Sequence, residues 1–349
     1  MITTLILFIL ILGVTVLVHE FGHFLFSKIF GVCVYEFSVG MGPTLISIPS
    51  KKSETTYSIR LIPFGGFCSL AGEEIDEEEL KKTKGRNLQD KSLIQRFLIM
   101  FMGVGFNFIF AFIVLFLSAI ISGAPNTEPI ISGVVDNYPA KAVGLEKGDR
   151  ILYINNHKVT YKDDISLYLT IEDLKKPVSI QVEKEDKTIK TYTLKAKQET
   201  VDNKKVYHVG INFISNPERG FIKSLEYSIK EGSAIFKQMF VVLKSLFTGK
   251  LSINSLSGPV GIYSAVGTVK KQGISSILYL IALLCINVGV INILPFPAFD
   301  GGRILFLIIE KIKGSKVSPK IENTIHAIGF ILLILLMIYV TFNDVIRLF

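Results

Sequence analysis

Two histidines and a glutamate in the stretch HEFGH, His19 to His23, have residue types and a spacing that could hold a metal ion. In an α-helix, residues four positions apart lie on one face, so His19 and His23 could bind one ion together. Glu20 lies beside them and could act as a base on a metal-bound water. A pair of histidines could also be packed, hydrogen-bonded side chains. Taken with the glutamate, the motif favours the chemistry of a zinc-dependent hydrolase.

A catalytic zinc normally takes three protein ligands and leaves the fourth position for water, so a third ligand must be found. His157 and His208 lie in a separate, more polar region, and we interpret His326 as a helix-end side chain at the membrane interface. Asp300, in NILPFPAFDGG, follows an apolar segment that prolines interrupt. Alone, that segment could be a turn leaving the membrane. Beside HEFGH, it predicts Asp300 as the third ligand.

The motif stands at the end of an apolar run, because the 17 residues from Ile2 to Val18 carry no charge. An ionisable residue within a membrane span is costly and is a functional candidate by default. The run lacks a basic beginning and a following small-residue cleavage site, which argues against a signal peptide. We therefore predict a retained first span that carries the metal motif.

The composition indicates an integral membrane protein. Of 349 residues, 49% are hydrophobic, and the mean hydropathy is +0.47. The net charge of +8 does not indicate nucleic-acid binding, because the basic residues are dispersed and form no aromatic-basic array. The three cysteines have no paired spacing, which predicts neither a disulfide framework nor a cysteine zinc site.

Four apolar segments are long enough to cross a bilayer, which needs about 20 helical residues. They cover approximately 2–27, 97–121, 274–294 and 325–342. The connection 28–96 holds ten Lys or Arg and 303–320 holds five. The positive-inside rule therefore predicts that both connections are cytoplasmic and that 122–273 is extracytoplasmic. The first and third spans then run in one direction, which brings HEFGH and Asp300 to the same cytoplasmic level.

The fold class that we predict is a polytopic α-helical membrane protein with four transmembrane helices, a membrane-associated β-rich loop and an inserted extracytoplasmic α+β domain that is PDZ-like. Residues 35–70 have strand character and apolar ends, which indicates a β-rich element that dips into the membrane region under protein cover. Residues 221–247 alternate apolar residues and lysines at helical spacing, which favours a helix on the outer membrane surface. The acidic run from Glu73 to Glu79 is interpreted as a solvated surface segment.

The predicted domains follow from these segments. They are a membrane core at 1–123, a PDZ-like domain at 124–215, an amphipathic surface-helix region at 216–272, and a second part of the membrane core at 273–349.

HEFGH in a first span, together with NILPFPAFDGG late in the chain, resembles the site-2 protease family of intramembrane zinc metalloproteases, in particular the bacterial regulator-of-sigma-E type. PFGGFCSLAGE at 63–73 is similar to the family's membrane-entering β-loop segment. GVGFNF at 103–108 is similar to its glycine-asparagine motif in the second span, and LSGPVGI at 256–262 to the stretch before the third. The region 128–214 resembles a single PDZ module.

The resemblance implies that His19, His23 and Asp300 bind Zn²⁺, that Glu20 is the catalytic acid and base, and that Asn292 binds substrate. It further implies a multi-pass protein of the bacterial inner membrane, with the active site toward the cytoplasmic leaflet and the PDZ-like domain outside. The implied partners are the lipid bilayer and single-span membrane proteins, such as anti-sigma factors, signal-peptide remnants or division proteins. A carboxylate-binding loop of the GLGF kind is not evident, so peptide capture and steric spacing both remain open for the PDZ-like domain.

Two other classes of function need to be weighed against a protease. A catalytically inactive, membrane-anchored PDZ scaffold or chaperone has no use for buried ionisable groups in its spans. A metal transporter commonly shows repeated halves and a path across the membrane, and the sequence indicates neither.

Overall fold

A computed structural model describes residues 1–73, 82–201, 204–213 and 216–348. The helices are α1 Ile2–Ile29, α2 Leu93–Ser122, α3 Pro139–Ala142, α4 Lys162–Ile171, α5 Phe221–Phe247, α6 Pro259–Gln272, α7 Ile274–Ile293, α8 Asp300–Lys313 and α9 Pro319–Leu348. The strands are β1 Val34–Pro49, β2 Thr56–Leu70, β3 Gly133–Val134, β4 Arg150–Ile154, β5 His157–Lys158, β6 Val178–Glu183, β7 Ile189–Leu194, β8 Lys197–Val201, β9 Lys204–His208 and β10 Ile211–Asn212.

Within the described residues, four helices are long and apolar enough to cross a membrane. They are Ile2–Ile29, Leu93–Ser122, Ile274–Ile293 and the segment Lys320–Arg347 of α9. Each contains or nearly matches one of the four predicted spans, so the prediction of four long apolar helices is confirmed. The third ends where the sequence requires it, because the residue before a proline is driven out of the helical region. Leu294, which precedes Pro295, has extended backbone angles.

The chain divides into two compact units, the first formed by Met1–Val114 with Leu256–Phe349 and the second by Leu115–Ser255. In the first unit, α1 packs against α6 and α7 through an apolar cluster. Its buried members are Phe8, Ile11, Val266 and Leu280. A second cluster joins the end of α1, the β1–β2 sheet, α2 and α8. Its buried members include Val32, Leu70, Ile99 and Ile304. These two clusters fix the elements that carry the candidate site.

The first unit contains the sheet formed by β1 and β2, which pair in antiparallel fashion. Residues 36–39 of β1 pair on one side with 66–69 of β2 and on the other with 56–59. The far part of this sheet is apolar and exposed. The exposed side chains include Met41, Leu45, Ile46, Ile48, Ile59, Leu61 and Ile62. Such a patch indicates contact with lipid or protein; its insertion into the membrane remains a prediction.

The second unit has a sheet with strand order β5-β4-β6-β7, over which α4 packs. Alternate residues Val178, Ile180 and Val182 of β6 are buried, as expected for a strand with one face on a core. The α+β character agrees with the sequence prediction for this region. The PDZ assignment, the domain boundaries and the membrane-surface position of α5 remain predictions. Residues 202–203 and 214–215 of the proposed module lie outside the described ranges.

Candidate metal centre

His19, His23 and Asp300 meet at one point in the first unit. Nε2 of His19 and Nε2 of His23 lie 3.3 Å apart. Oδ2 of Asp300 lies 3.1 Å from Nε2 of His19 and 3.3 Å from Nε2 of His23. The two histidines are each 7% exposed. The structure therefore brings together the three residues that the sequence predicts as ligands, although Asp300 belongs to a different helix.

The second helix fixes the orientation of His23. Nδ1 of His23 lies 2.8 Å from the carbonyl oxygen of Ile99, and because a carbonyl can only accept, Nδ1 carries the hydrogen. In the neutral ring, Nε2 then presents its lone pair, which is the usual arrangement for a metal-binding histidine. Gly103 of GVGFNF permits this approach, because a Cβ at that position would lie 2.3 Å from Nε2 of His23.

The turn between α7 and α8 positions Asp300. The helix α7 ends at Ile293, and Asp300 is the first residue of α8. Gly301 packs onto the end of α7 so closely that a Cβ there would lie 2.2 Å from the carbonyl oxygen of Leu294. Glycine at position 301 is thus required by this close approach, and the folded turn aims the carboxylate at α1.

The donor atoms fit a zinc ion. In a tetrahedral zinc site with bonds of about 2.0–2.1 Å, neighbouring ligand atoms lie about 3.3–3.4 Å apart, and the three distances here are 3.1, 3.3 and 3.3 Å. Oδ2 of Asp300 is buried and has no hydrogen-bond donor among the described residues. A buried carboxylate oxygen that faces imidazole lone pairs is unfavourable unless a cation lies between them.

Glu20 and Asn292 face the same cavity as the three candidate ligands, and the volume of this cavity is about 310 Å³. Oε2 of Glu20 accepts a hydrogen bond of 3.1 Å from the backbone N–H of Cys68 in β2. The side-chain amide of Asn292, near the end of α7, has no hydrogen-bond partner within the described ranges. All five predicted site residues therefore line one cavity, while the roles assigned to them remain predictions.

The sequence interpretation of Glu73 was wrong, because this residue is not part of a solvated segment. Its carboxylate pairs with Arg303, and it also accepts a hydrogen bond of 3.2 Å from the backbone N–H of Leu70. The rest of the acidic run, residues 74–79, lies outside the described part of the chain. Arg303 stands one helical turn after Asp300, and that spacing was the available signal for its place in the cavity.

The interpretation of His326 as a helix-end side chain at the interface also needs correction. The ring lies against the turn that carries Asp300, and its Nδ1 accepts a hydrogen bond of 3.0 Å from the backbone N–H of Ala298. The sequence contains no local signal for this contact, since 28 residues separate the partners.

Comparison with known proteins finds similarity over nearly the whole chain. The sequence profile of Peptidase family M50 matches residues 7–336. A protein of Fusobacterium nucleatum, whose name describes it as a candidate zinc metalloprotease, is 37% identical over 99% of both chains. A similarly named protein of Clostridium perfringens is 33% identical over 95% of both chains. The zinc metalloprotease RasP of Shouchella clausii is 33% identical over 99% of both chains.

Proposed function

The chain belongs to peptidase family M50, the site-2 protease family, and we propose that it is a zinc-dependent endopeptidase that cleaves single-span membrane proteins within or near the bilayer. The observation that carries this proposal is the convergence of His19, His23 and Asp300, with Glu20 beside them, in a helix bundle whose long helices are apolar enough to span a membrane. A soluble hydrolase has no need to bury such a site among these helices.

His19, His23 and Asp300 would hold the zinc ion through Nε2, Nε2 and Oδ2. When bound, zinc supplies a Lewis acid that acidifies water and polarises a peptide carbonyl. Glu20 lies next to the first ligand in the sequence and faces the same cavity, so its carboxylate would take the proton of the attacking water. The same carboxylate would then return the proton to the leaving amine.

The edge of the β1–β2 sheet supports a role in substrate presentation. Within the part of the chain that the structure describes, residues 66–69 of β2 pair with β1 on one side only. The N–H of Cys68 points away from β1 and donates to Glu20. A helical substrate hides its peptide bonds, so the cleaved segment has to unwind. Added as a strand at this edge, it would lie beside Glu20, and the amide of Asn292 could hold one of its backbone groups.

The proposed location is the bacterial inner membrane, with the catalytic cavity toward the cytoplasmic leaflet and residues 124–215 on the outer side. The distribution of Lys and Arg in the shorter connections supports this orientation. The helix α8 supports contact of this part of the protein with a lipid surface, because it carries an exposed apolar stripe at helical spacing. The stripe consists of Leu305, Ile308, Ile309 and Ile312. Its neighbours Lys311 and Lys313 are exposed, as in helices that lie at a lipid surface.

The experiment that tests this function combines zinc content with single-turnover cleavage of a single-span test substrate, both measured on the purified protein in lipid. We expect about one zinc per chain and cleavage within or near the apolar segment. Glu20→Gln should retain the zinc and lose cleavage, because it removes the base but no ligand. An inactive PDZ scaffold predicts no cleavage by the wild type under any condition. If the Glu20→Gln variant cleaves within tenfold of the wild type, the assignment of Glu20 as the base is wrong.

A further inference from the structure

We infer that His326, on α9, is a positioning residue for Asp300: it holds the backbone of Ala298 in a left-handed conformation and so fixes the turn that presents the carboxylate to His19 and His23. This inference rests on the proposed zinc site. His326 touches neither the ligand atoms nor the substrate cavity, so its effect on the metal site would pass through the backbone of the turn.

The first observation is the hydrogen bond itself. The N–H of Ala298 donates to Nδ1 of His326 at 3.0 Å, so Nδ1 carries a lone pair. The hydrogen of the neutral ring is then on Nε2, which is buried and has no partner in the described part of the chain. The ring also lies against Phe306 of α8, with a distance of 5.7 Å between ring centroids. The ring is thus held by packing and by its bond to the turn.

The second observation is the strained backbone at the other end of this bond. Ala298 has a φ of +83°, a region that side chains with a Cβ avoid. The other non-glycine residues with positive φ within the described ranges are Asn137, Asn155 and Lys187. Alanine has no polar side chain that could stabilise the conformation locally, as asparagine has. Such strain persists only where the surroundings hold it in place.

The third observation is the close packing of α9 on the same turn. Gly329 follows His326 by three residues and lies on the same side of the helix. A Cβ on Gly329 would lie 2.4 Å from Cβ and 2.5 Å from the carbonyl oxygen of Pro297. The helix α9 therefore contacts two consecutive residues of the turn, through the ring of His326 at Ala298 and through the bare backbone of Gly329 at Pro297.

These contacts lie two and three residues before the ligand Asp300. Zinc sites tolerate changes of only about 0.2 Å in ligand distances, so a change in the backbone of Ala298 would move Oδ2 of Asp300 out of range. Loss of the acceptor at His326 leaves the strained backbone without its hydrogen bond. The turn would then relax toward ordinary φ values, and zinc would be bound more weakly.

The test compares zinc affinity, measured by competition with a chelator, in His326→Leu, His326→Asn and His326→Gln. Leucine keeps apolar volume but removes the acceptor, and we expect a loss of about 10–100-fold, the usual effect of outer-shell partners. Asparagine places an oxygen close to the position of Nδ1 and should stay within about threefold of the wild type. Glutamine places its oxygen farther from the helix backbone at position 326, so the zinc affinity of His326→Gln should resemble that of His326→Leu. A control on the exposed side of α9, Ile328→Leu, should leave the affinity unchanged.

The visible spectrum of the Co²⁺-loaded protein gives a second readout, because it reports the geometry around the metal. It should change in His326→Leu and be restored in His326→Asn. Ala298→Gly should recover part of the affinity lost in His326→Leu, since glycine adopts positive φ without strain.

Wild-type affinity and an unchanged Co²⁺ spectrum in His326→Leu would overturn the positioning role and leave the zinc site intact. If the leucine variant does not fold, equal affinities of the asparagine and glutamine variants would overturn it. Absence of zinc binding by the wild-type protein would instead overturn the proposed function, and with it this inference.

Discussion

The backbone N–H of Cys68 donates a hydrogen bond of 3.1 Å to Oε2 of Glu20. This bond joins the proposed catalytic base to the edge of the β1–β2 sheet, at a position where Cys68 pairs with Phe37 on its other side. A substrate strand that bound at this edge would compete for the same N–H. Strand addition and release of the Glu20 carboxylate would therefore be coupled, so that the base becomes free to accept a proton when substrate is in place.

Removal of that N–H tests the coupling. Cys68→Pro deletes the donor at an edge position, where proline is tolerated in sheets, and we expect cleavage to fall by about 10–100-fold because the substrate strand loses a backbone partner at this edge. Zinc content should be unchanged. Cys68→Ser keeps the N–H and a side chain of similar size, and it should cleave like the wild type. Equal activity of the proline and serine variants would contradict the proposed role of this edge.

Asp300→Asn tests the third ligand. The amide keeps the size of the carboxylate but lacks its negative charge, and two histidines alone are a poor match to a site with three protein ligands and water. Zinc content of the purified protein should fall well below that of the wild type, and cleavage should fall by orders of magnitude. Asn292→Ala is the matched control, since it should weaken substrate binding while zinc content stays normal. Normal zinc and normal cleavage in Asp300→Asn would place the third ligand elsewhere.

The ion pair between Glu73 and Arg303 should couple the end of β2 to α8. We expect Glu73→Gln and Arg303→Met each to lower the free energy of unfolding by about 1–2 kcal/mol, a value reduced for the partial exposure of both side chains. The double variant should lose less than the sum, because it leaves no unpaired charge in the cavity. Thermal unfolding of the four proteins in one detergent measures this. Strictly additive losses would mean that the two residues act independently.

The position of α8 at the lipid surface can be measured directly, because the chain contains no tryptophan. Ile309→Trp introduces a single indole into the exposed apolar stripe, and we expect quenching by lipids brominated on their acyl chains, with a depth of about 5–10 Å. Ser315→Trp, in the exposed connection after α8, should be quenched much less. Equal, weak quenching at both positions would show that the stripe faces water or protein.

Features that depend on the helical repeat or on the length of an apolar segment were predictable from the sequence. The spacing of His19 and His23 requires that they share a helix face, because the helical repeat is local and independent of the rest of the chain. The four apolar helices follow from the length that a bilayer demands. Asp300 could be predicted as a neighbour of the two histidines, because the positive-inside rule aligns the first and third spans and prolines interrupt the chain just before it.

Contacts between distant parts of the chain were decided only by the tertiary structure. Glu73 appears in the sequence as the start of an acidic run, and nothing nearby indicates that it pairs with Arg303. The positive φ of Ala298 and its bond to His326 depend on how closely α9 packs on the turn. Side-chain partners of this kind are selected by shape and burial in the folded bundle, where an unpaired polar group is costly. Sequence periodicity reports which face of an element is apolar, but not which residue of another element lies against it.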